Sequence, residues 1–382
     1  MTASLSSIQV GKGWFPEEPG GLDRYYFDLV RHLPASGVQV RGLVTGSARV
    51  ARETSGAVVA FAPSGANLAT RWSAARRALR QALAEQPGSV VAAHFALYAA
   101  PALDLLARTP FVMHFQGPWA AESRVEGRSP ASCHVKYGIE RAVYRRAAHC
   151  LVLSRAFGKV IHEDYGVPAE AITVVPGGID CARWDTNVAR VDARHQLGWP
   201  TTRPIVLVVR RLVRRMGLEG LIDSVQRIRR TVPDVLIVIG GSGPLRDALA
   251  QRAADRGATR HVHFAGFIPD AVLPVAYRAA DLTVVPSVAL EGFGLVAAES
   301  LASGTPVMVT AVGGLPETIE GLSPHCILPP DNPAALGRAI GEALVGRLPL
   351  PTAAQCVRHA VEHFDWSITA RRIGGVYREV MR

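Results

Sequence analysis

Lysine is nearly missing from this chain. Only Lys12, Lys136 and Lys159 occur in 382 residues, so arginine carries almost all of a formal net charge of +10. That surplus attracts anions such as a nucleotide, a nucleic acid or an acidic lipid surface, although solvated surface arginines would give the same total. Cysteine is scarce as well. Cys133, Cys150, Cys181, Cys326 and Cys356 are odd in number and far apart, which excludes a metal-spacing pair and reads as reduced, cytosolic thiols. No apolar run reaches the roughly 18–20 residues of a membrane span. The N-terminus enters a strand at Ile8–Val10 without a charged and apolar leader, so a secretory signal is not expected and a cytoplasmic location is. No Asp-x-Asp pair occurs either. Enzymes that hold a diphosphate through a divalent cation commonly use such carboxylates. Its lack points to neutralisation by arginine and helix ends, with no metal and no cofactor.

Short β-branched runs alternate with helix-like segments along the whole chain. A first series spans 6–10, 38–45, 90–94, 111–115, 150–154 and 172–176. A second spans 204–209, 235–240, 261–264, 282–286, 306–310 and 327–329. Amphipathic stretches such as 22–33, 218–230 and 245–254 lie between them. This alternation predicts parallel sheets covered by helices on both faces. Twelve strands exceed one comfortable open sheet, so the expectation is an α/β chain of two doubly wound, Rossmann-like domains facing each other across a cleft. The first would run 1–184 and the second 185–364, with a last amphipathic helix over 365–382. Ligands of such sheets sit outside the C-terminal strand ends.

The motifs fall at those ends. Glu291-Gly292-Phe293-Gly294-Leu295 opens a helix-like run that reaches Glu299. Free N–H groups and the positive helix end there suit an anion, while the two carboxylates can accept from hydroxyls. Phosphate with polyol means a nucleotide sugar. Arg210, Arg211, Arg214 and Arg215 follow the strand 204–209 and can clamp a pyrophosphate. Gly20 and Gly21 precede the helix 22–33, and Gly240, Gly241 and Gly243 follow the strand 235–240, each allowing close backbone approach. His114 closes the strand 111–115 before Gly117-Pro118-Trp119. A lone histidine is usually buried and satisfied, but that turn favours one aimed at the ligand edge. Arg71, Arg76, Arg77 and Arg80 share a segment with Trp72, Ala75, Leu79 and Leu83. A basic amphipathic helix of this kind reads as an ordinary surface helix first and as a peripheral contact with the inner membrane face second.

Taken in order and spacing, these motifs resemble the retaining glycosyltransferases of family 4, which have the GT-B fold. The similarity continues through Ser303-Gly304-Thr305-Pro306-Val307 and Gly313-Gly314-Leu315-Pro316-Glu317. The resemblance implies that Arg211 binds the donor diphosphate and that Glu291, with the N–H groups of Phe293 and Gly294, holds the donor sugar. It implies ribose contacts for Glu299, base contacts at Phe267 and Ile268, and a place for His114 beside the reacting sugar. The family usually carries a lysine five residues after Arg211. That position is Met216, and Arg215 next door is the first substitute, with Arg210 and Arg214 as the others. The resemblance also implies that the last helix crosses back to the first domain.

The implied function is retaining transfer of a hexosyl group from a uridine or guanosine diphosphate sugar to an acceptor hydroxyl, on a polyol, a saccharide, a lipid-linked saccharide or a natural product. A nucleotide-sugar epimerase on the same fold is the nearest alternative. A phosphorylase would need a pyridoxal-bearing lysine, which the second half lacks. A nucleic-acid binder would concentrate its basic charge. Residues 1–185 and 186–382 instead share the surplus evenly, so no nucleic acid partner is expected.

Overall fold

The computed structural model describes residues 5–382. The chain forms two compact units. The first comprises the chain up to Gly178 together with Trp366–Arg382, and the second is Ile179–Asp365. The division lies a few residues before the expected one. Ile179 pairs with Asp365 and donates its N–H to the Phe364 carbonyl (2.8 Å). Trp184 is buried edge-on to Tyr277 (5.7 Å), which also ties the start of this segment to the second unit.

The first unit holds a seven-stranded sheet: β1 (Leu5–Val10), β2 (Val38–Thr45), β3 (Val58–Ala62), β4 (Val90–Ala93), β5 (Phe111–Phe115), β6 (His149–Val152) and β7 (Ile172–Val174). Their order is β3-β2-β1-β4-β5-β6-β7, and every pairing is parallel. The second unit holds β8 (Ile205–Val209), β9 (Leu236–Gly240), β10 (Val262–Gly266), β11 (Leu282–Val285), β12 (Val307–Thr310) and β13 (Ile327–Leu328). These are ordered β10-β9-β8-β11-β12-β13, again all parallel. Central strands such as β4 and β11 are buried at every residue, as strands covered on both faces must be. The order reverses between β1 and β4 in one sheet and between β8 and β11 in the other. Ligand crevices of open parallel sheets form at such reversals.

The helix Trp366–Val380 packs in the first unit, where Trp366, Ala370, Ile373, Val376 and Tyr377 join the core beneath Tyr25, Leu29 and Val30. The helix Leu68–Glu85 turns Ala75, Leu79 and Ala82 into the other core of that unit. Arg71 donates to the Tyr98 hydroxyl (2.9 Å), and Arg76 to the Pro101 carbonyl (2.8 Å) and to Asp104. Its apolar stripe is therefore occupied within the unit, and only Arg77 and Arg80 of the four arginines are exposed. No helix among the described residues is long and apolar enough to cross a membrane. All five cysteines are buried and free.

Candidate functional site

The switch point of the second sheet gathers the cationic and acidic residues. Arg210 is the first residue beyond β8, with its N–H donated to the Gly240 carbonyl (2.9 Å). Its Nη2 meets Met216 Sδ (2.7 Å), Ser287 Oγ (2.8 Å) and the Glu291 carboxylate. Ser287 Oγ also donates to Glu291 Oε2 (3.0 Å). Ser287 and Glu291 lie in the loop after β11, so this cluster joins the two strands that flank the reversal. Arg210 is only 9% exposed, and its Nε–H is buried without a partner. An unpaired buried donor costs about 1–3 kcal/mol, so the site carries an unused hydrogen-bond donor at its charged centre.

The other arginines part company here. Arg211, expected at the heart of the site, is exposed, and so is Arg214. Among the four, Arg210 is the one turned into the Ser287–Glu291 cluster. Arg215 is buried and gives Nη1 to the Leu290 carbonyl (2.8 Å), while its own carbonyl accepts from Val288 (2.9 Å). It props the turn that presents Glu291. That turn is tight, with Leu290 at a φ of 51°.

Glycines let the loops close on this cluster. Gly241 has a φ of 134°, and a Cβ there would collide with the Arg210 carbonyl oxygen. Gly243 presses in the same way on the Leu212 backbone, whose N–H bonds the Ser242 carbonyl (2.9 Å). Gly313, at a φ of 53°, backs onto the Glu291 carbonyl, which accepts from the Gly314 N–H (2.9 Å). Beyond Glu291, Gly292 and the buried Phe293 lead to Gly294, the residue before the helix Leu295–Ala302. Phe293 meets Phe364 edge-on (5.1 Å). Glu299, one turn into that helix, is 4% exposed and accepts from the Tyr277 hydroxyl (3.0 Å). Phe267, just past β10, is 64% exposed, whereas Ile268 is buried over Gly240.

In the first unit, Gly20 precedes the helix Gly21–His32 and nothing lies within 4 Å of where a Gly21 Cβ would stand. The preceding loop is folded by its own charges. Lys12 Nζ donates to Asp23 (2.8 Å) and Glu18 (2.9 Å), and the Gly13 N–H donates to Asp23 (2.9 Å). Burial raises the Asp23 carboxyl above its ordinary range despite Lys12 beside it. Sequence reading missed this triad. Its signal was Lys12 itself, one of three lysines in the chain.

His114 is not at an open edge. It is 2% exposed, with Nε2 at 2.7 Å from the Tyr377 hydroxyl and Nδ1 at 3.4 Å from that of Tyr25. His94, the residue after β4, lies tilted against it with ring centroids 4.2 Å apart and bonds Gln9 Oε1 (2.9 Å). Burial pushes His114 down to about 3 and holds His94 well below the usual histidine range, so both rings are neutral at working pH. The helix Trp119–Val125 after the Gly-Pro turn has its first N–H groups taken by buried Glu140, at 2.7 Å from Trp119 and 3.0 Å from Ala120.

Two family descriptions match successive parts of the chain: "Glycosyltransferase Family 4" over residues 19–183 and "Glycosyl transferases group 1" over residues 190–362. Similar proteins include a GDP-mannose-dependent α-(1-6)-phosphatidylinositol monomannoside mannosyltransferase of Mycolicibacterium smegmatis, 33% identical over 54% of this chain and 56% of that protein. A D-inositol 3-phosphate glycosyltransferase of Acidothermus cellulolyticus is 35% identical over 57% of this chain and 50% of its own length. A 2-deoxystreptamine glucosyltransferase of Streptomyces kanamyceticus is 29% identical over 54% of each. The chain thus spans about half the length of the curated relatives it matches. Among solved structures, Anabaena Alr3699/HepE in complex with UDP-glucose superposes with a TM-score of 0.78 at 20% identity, over 98% of this chain and 100% of the other. Sucrose-phosphate synthase of Thermosynechococcus elongatus gives 0.77 at 23% identity, over 98% and 99%.

Proposed function

The chain belongs to glycosyltransferase family 4 and has the GT-B fold, and on that premise we propose that it moves a hexosyl group from a nucleoside diphosphate sugar to an acceptor hydroxyl with retention of configuration. One observation carries the reading: a buried arginine and a carboxylate share a cluster at the switch point of the second sheet, next to a helix start. Breaking the glycosyl bond leaves negative charge on the diphosphate. Oriented cations and helix N–H groups stabilise it without reorganising during the reaction. Arg211 and the helix start at Gly294 and Leu295 face the diphosphate in this reading, Glu291 takes the sugar hydroxyls, Glu299 the ribose, and Phe267 with Ile268 the base. The acceptor oxygen attacks the anomeric carbon from the face the diphosphate leaves, and its proton passes to the departing phosphate oxygen. No metal is required where arginine supplies the charge.

A uridine or guanosine diphosphate sugar is the proposed donor, in keeping with the GDP-mannose and UDP-glucose named for similar proteins. The acceptor proposed is a polyhydroxylated ring, free or lipid-linked, since inositol and deoxystreptamine recur in the relatives' names. The buried apolar stripe of the helix Leu68–Glu85 argues for a soluble acceptor over one reached by laying that helix on a membrane. Thermal-shift titration with uridine, guanosine, adenosine and thymidine diphosphates tests donor binding, since a ligand of the folded state raises the melting point. Turnover of the matching sugar nucleotide, with proton NMR of the product, tests transfer. An inverted product, activity abolished by a chelator, or unimpaired turnover by Glu291→Gln each overturns the proposal.

A further inference from the structure

We infer that Arg210 supplies the second positive charge on the donor diphosphate, in the place a lysine at position 216 would otherwise fill. This rests on the glycosyl-transfer reading above and assigns a residue within that site. Four arginines lie between 210 and 215, and structure separates them. Arg215 spends its buried guanidinium on the Leu290 carbonyl, and Arg214 is exposed. Arg210 alone among them reaches the Ser287–Glu291 pair between β8 and β11.

Its contact with residue 216 identifies the substitution. The Arg210 guanidinium touches Met216 Sδ at 2.7 Å, and Met216 is itself buried. Methionine and lysine stems run alike to the δ position, so a lysine there would bring its amine to the volume that the guanidinium fills. Two cations in that volume would repel with little water to screen them. Arg210 and Met216 therefore make sense as a matched pair, with the charge moved from the short helical turn after β8 to the strand end six positions before it. A guanidinium never loses its proton and offers a planar fork to phosphate oxygens. The unpartnered, buried Nε–H of Arg210 is a donor still available to such a ligand. On donor binding the cluster re-partitions. The guanidinium turns toward phosphate oxygens, and the Glu291 carboxylate, held meanwhile by Ser287, turns toward sugar hydroxyls.

The charge-relocation test uses Arg210→Ser, Arg210→Lys and the double variant Arg210→Ser with Met216→Lys in the full chain. The probes are a nucleoside diphosphate and its parent nucleoside, alongside turnover. Arg210→Ser is expected to lower turnover about 100-fold or more, the usual effect of removing one charge-stabilising group. It should weaken the diphosphate while sparing the nucleoside, a split that a packing defect does not produce. The double variant should regain at least about tenfold of both losses, which is a change of about 1.4 kcal/mol. Where Arg210→Ser melts early, Arg210→Lys replaces it and must show an intermediate diphosphate affinity. Wild-type diphosphate affinity and turnover in Arg210→Ser, or a folded double variant no better than the single one, overturns the inference. A wild-type chain that ignores every nucleoside diphosphate sinks the nucleotide-sugar reading instead.

Discussion

Single residues decide how this site is built, and glycines show it most directly. A methyl at Gly241 would strike the Arg210 carbonyl, whereas Gly21 has open space before it. Gly241→Ala is therefore expected to lower the melting point by several degrees, as strain of about 2 kcal/mol would at the shifts typical for a domain of this size. Gly21→Ala should melt like the parent and lose donor or acceptor affinity. Calorimetry with a binding titration on the two variants checks this, and equal melting points for Gly241→Ala and the parent would count against it. The residue types of the site were legible: Glu291, Gly294 and an arginine run at a strand end are visible as letters. Which arginine turns inward was not. β8 is apolar on both faces, so its sequence carries no alternation from which parity can be read. Side-chain parity flips with a shift of one residue, so the buried Arg210 and the exposed Arg211 cannot be told apart without it.

Elements were easier to read than side chains. The second sheet's six strands stand where the apolar runs predict them, and β8, β9, β11 and β12 are the plainest because strands buried on both faces cannot disguise their composition. In the first sheet β3 escaped. Val58–Ala62 is a short edge strand, half-buried at its middle and diluted by alanine, and it pairs on one side only, with β2. The same sheet explains His114. His114 lies within β5, and the helix Trp366–Val380 brings Tyr377 from the far end of the chain to its Nε2. Such a partner is invisible to local pattern. Neutral burial of His94 and His114 has a measurable pH consequence. Both have folded pKa values below the unfolded one, so on acidification the unfolded chain binds protons that the folded chain does not. Their contribution is complete above about pH 6.5 and falls as pH drops below it, for His114 by up to about 1.4 kcal/mol per pH unit toward pH 3. Stability of the parent should therefore fall more steeply between pH 6.5 and 4.5 than that of His114→Gln, measured by denaturant titration. Parallel curves would contradict this assignment.

At the scale of the molecule, the two-unit division and the doubly wound sheets follow from strand count and alternation, while the amphipathic period of the last segment marks only a helix, and its return to the first unit at Trp366 was legible only through the family resemblance. Removing residues 366–382 strips Trp366, Ile373 and Tyr377 from a core. At about 1.5–3 kcal/mol for each large apolar side chain, that loss is comparable to the net stability of a typical domain of about 5–15 kcal/mol. A chain ending at Asp365 should thus show an early, separate melting transition, while nucleoside diphosphate still shifts the later one. A single unchanged transition would refute the prediction. The crossing itself is narrow. Gly178 lies flat against the indole of Trp366, with no room for a side chain, and the next residue, Ile179, pairs with Asp365. Entry and exit of the inserted half are thereby sewn at one place, like the two ends of a cassette. Splice points at 178 and 366 would let that cassette be exchanged between relatives, and on the proposed reading, which puts the diphosphate cluster in the insert, donor choice would travel with it.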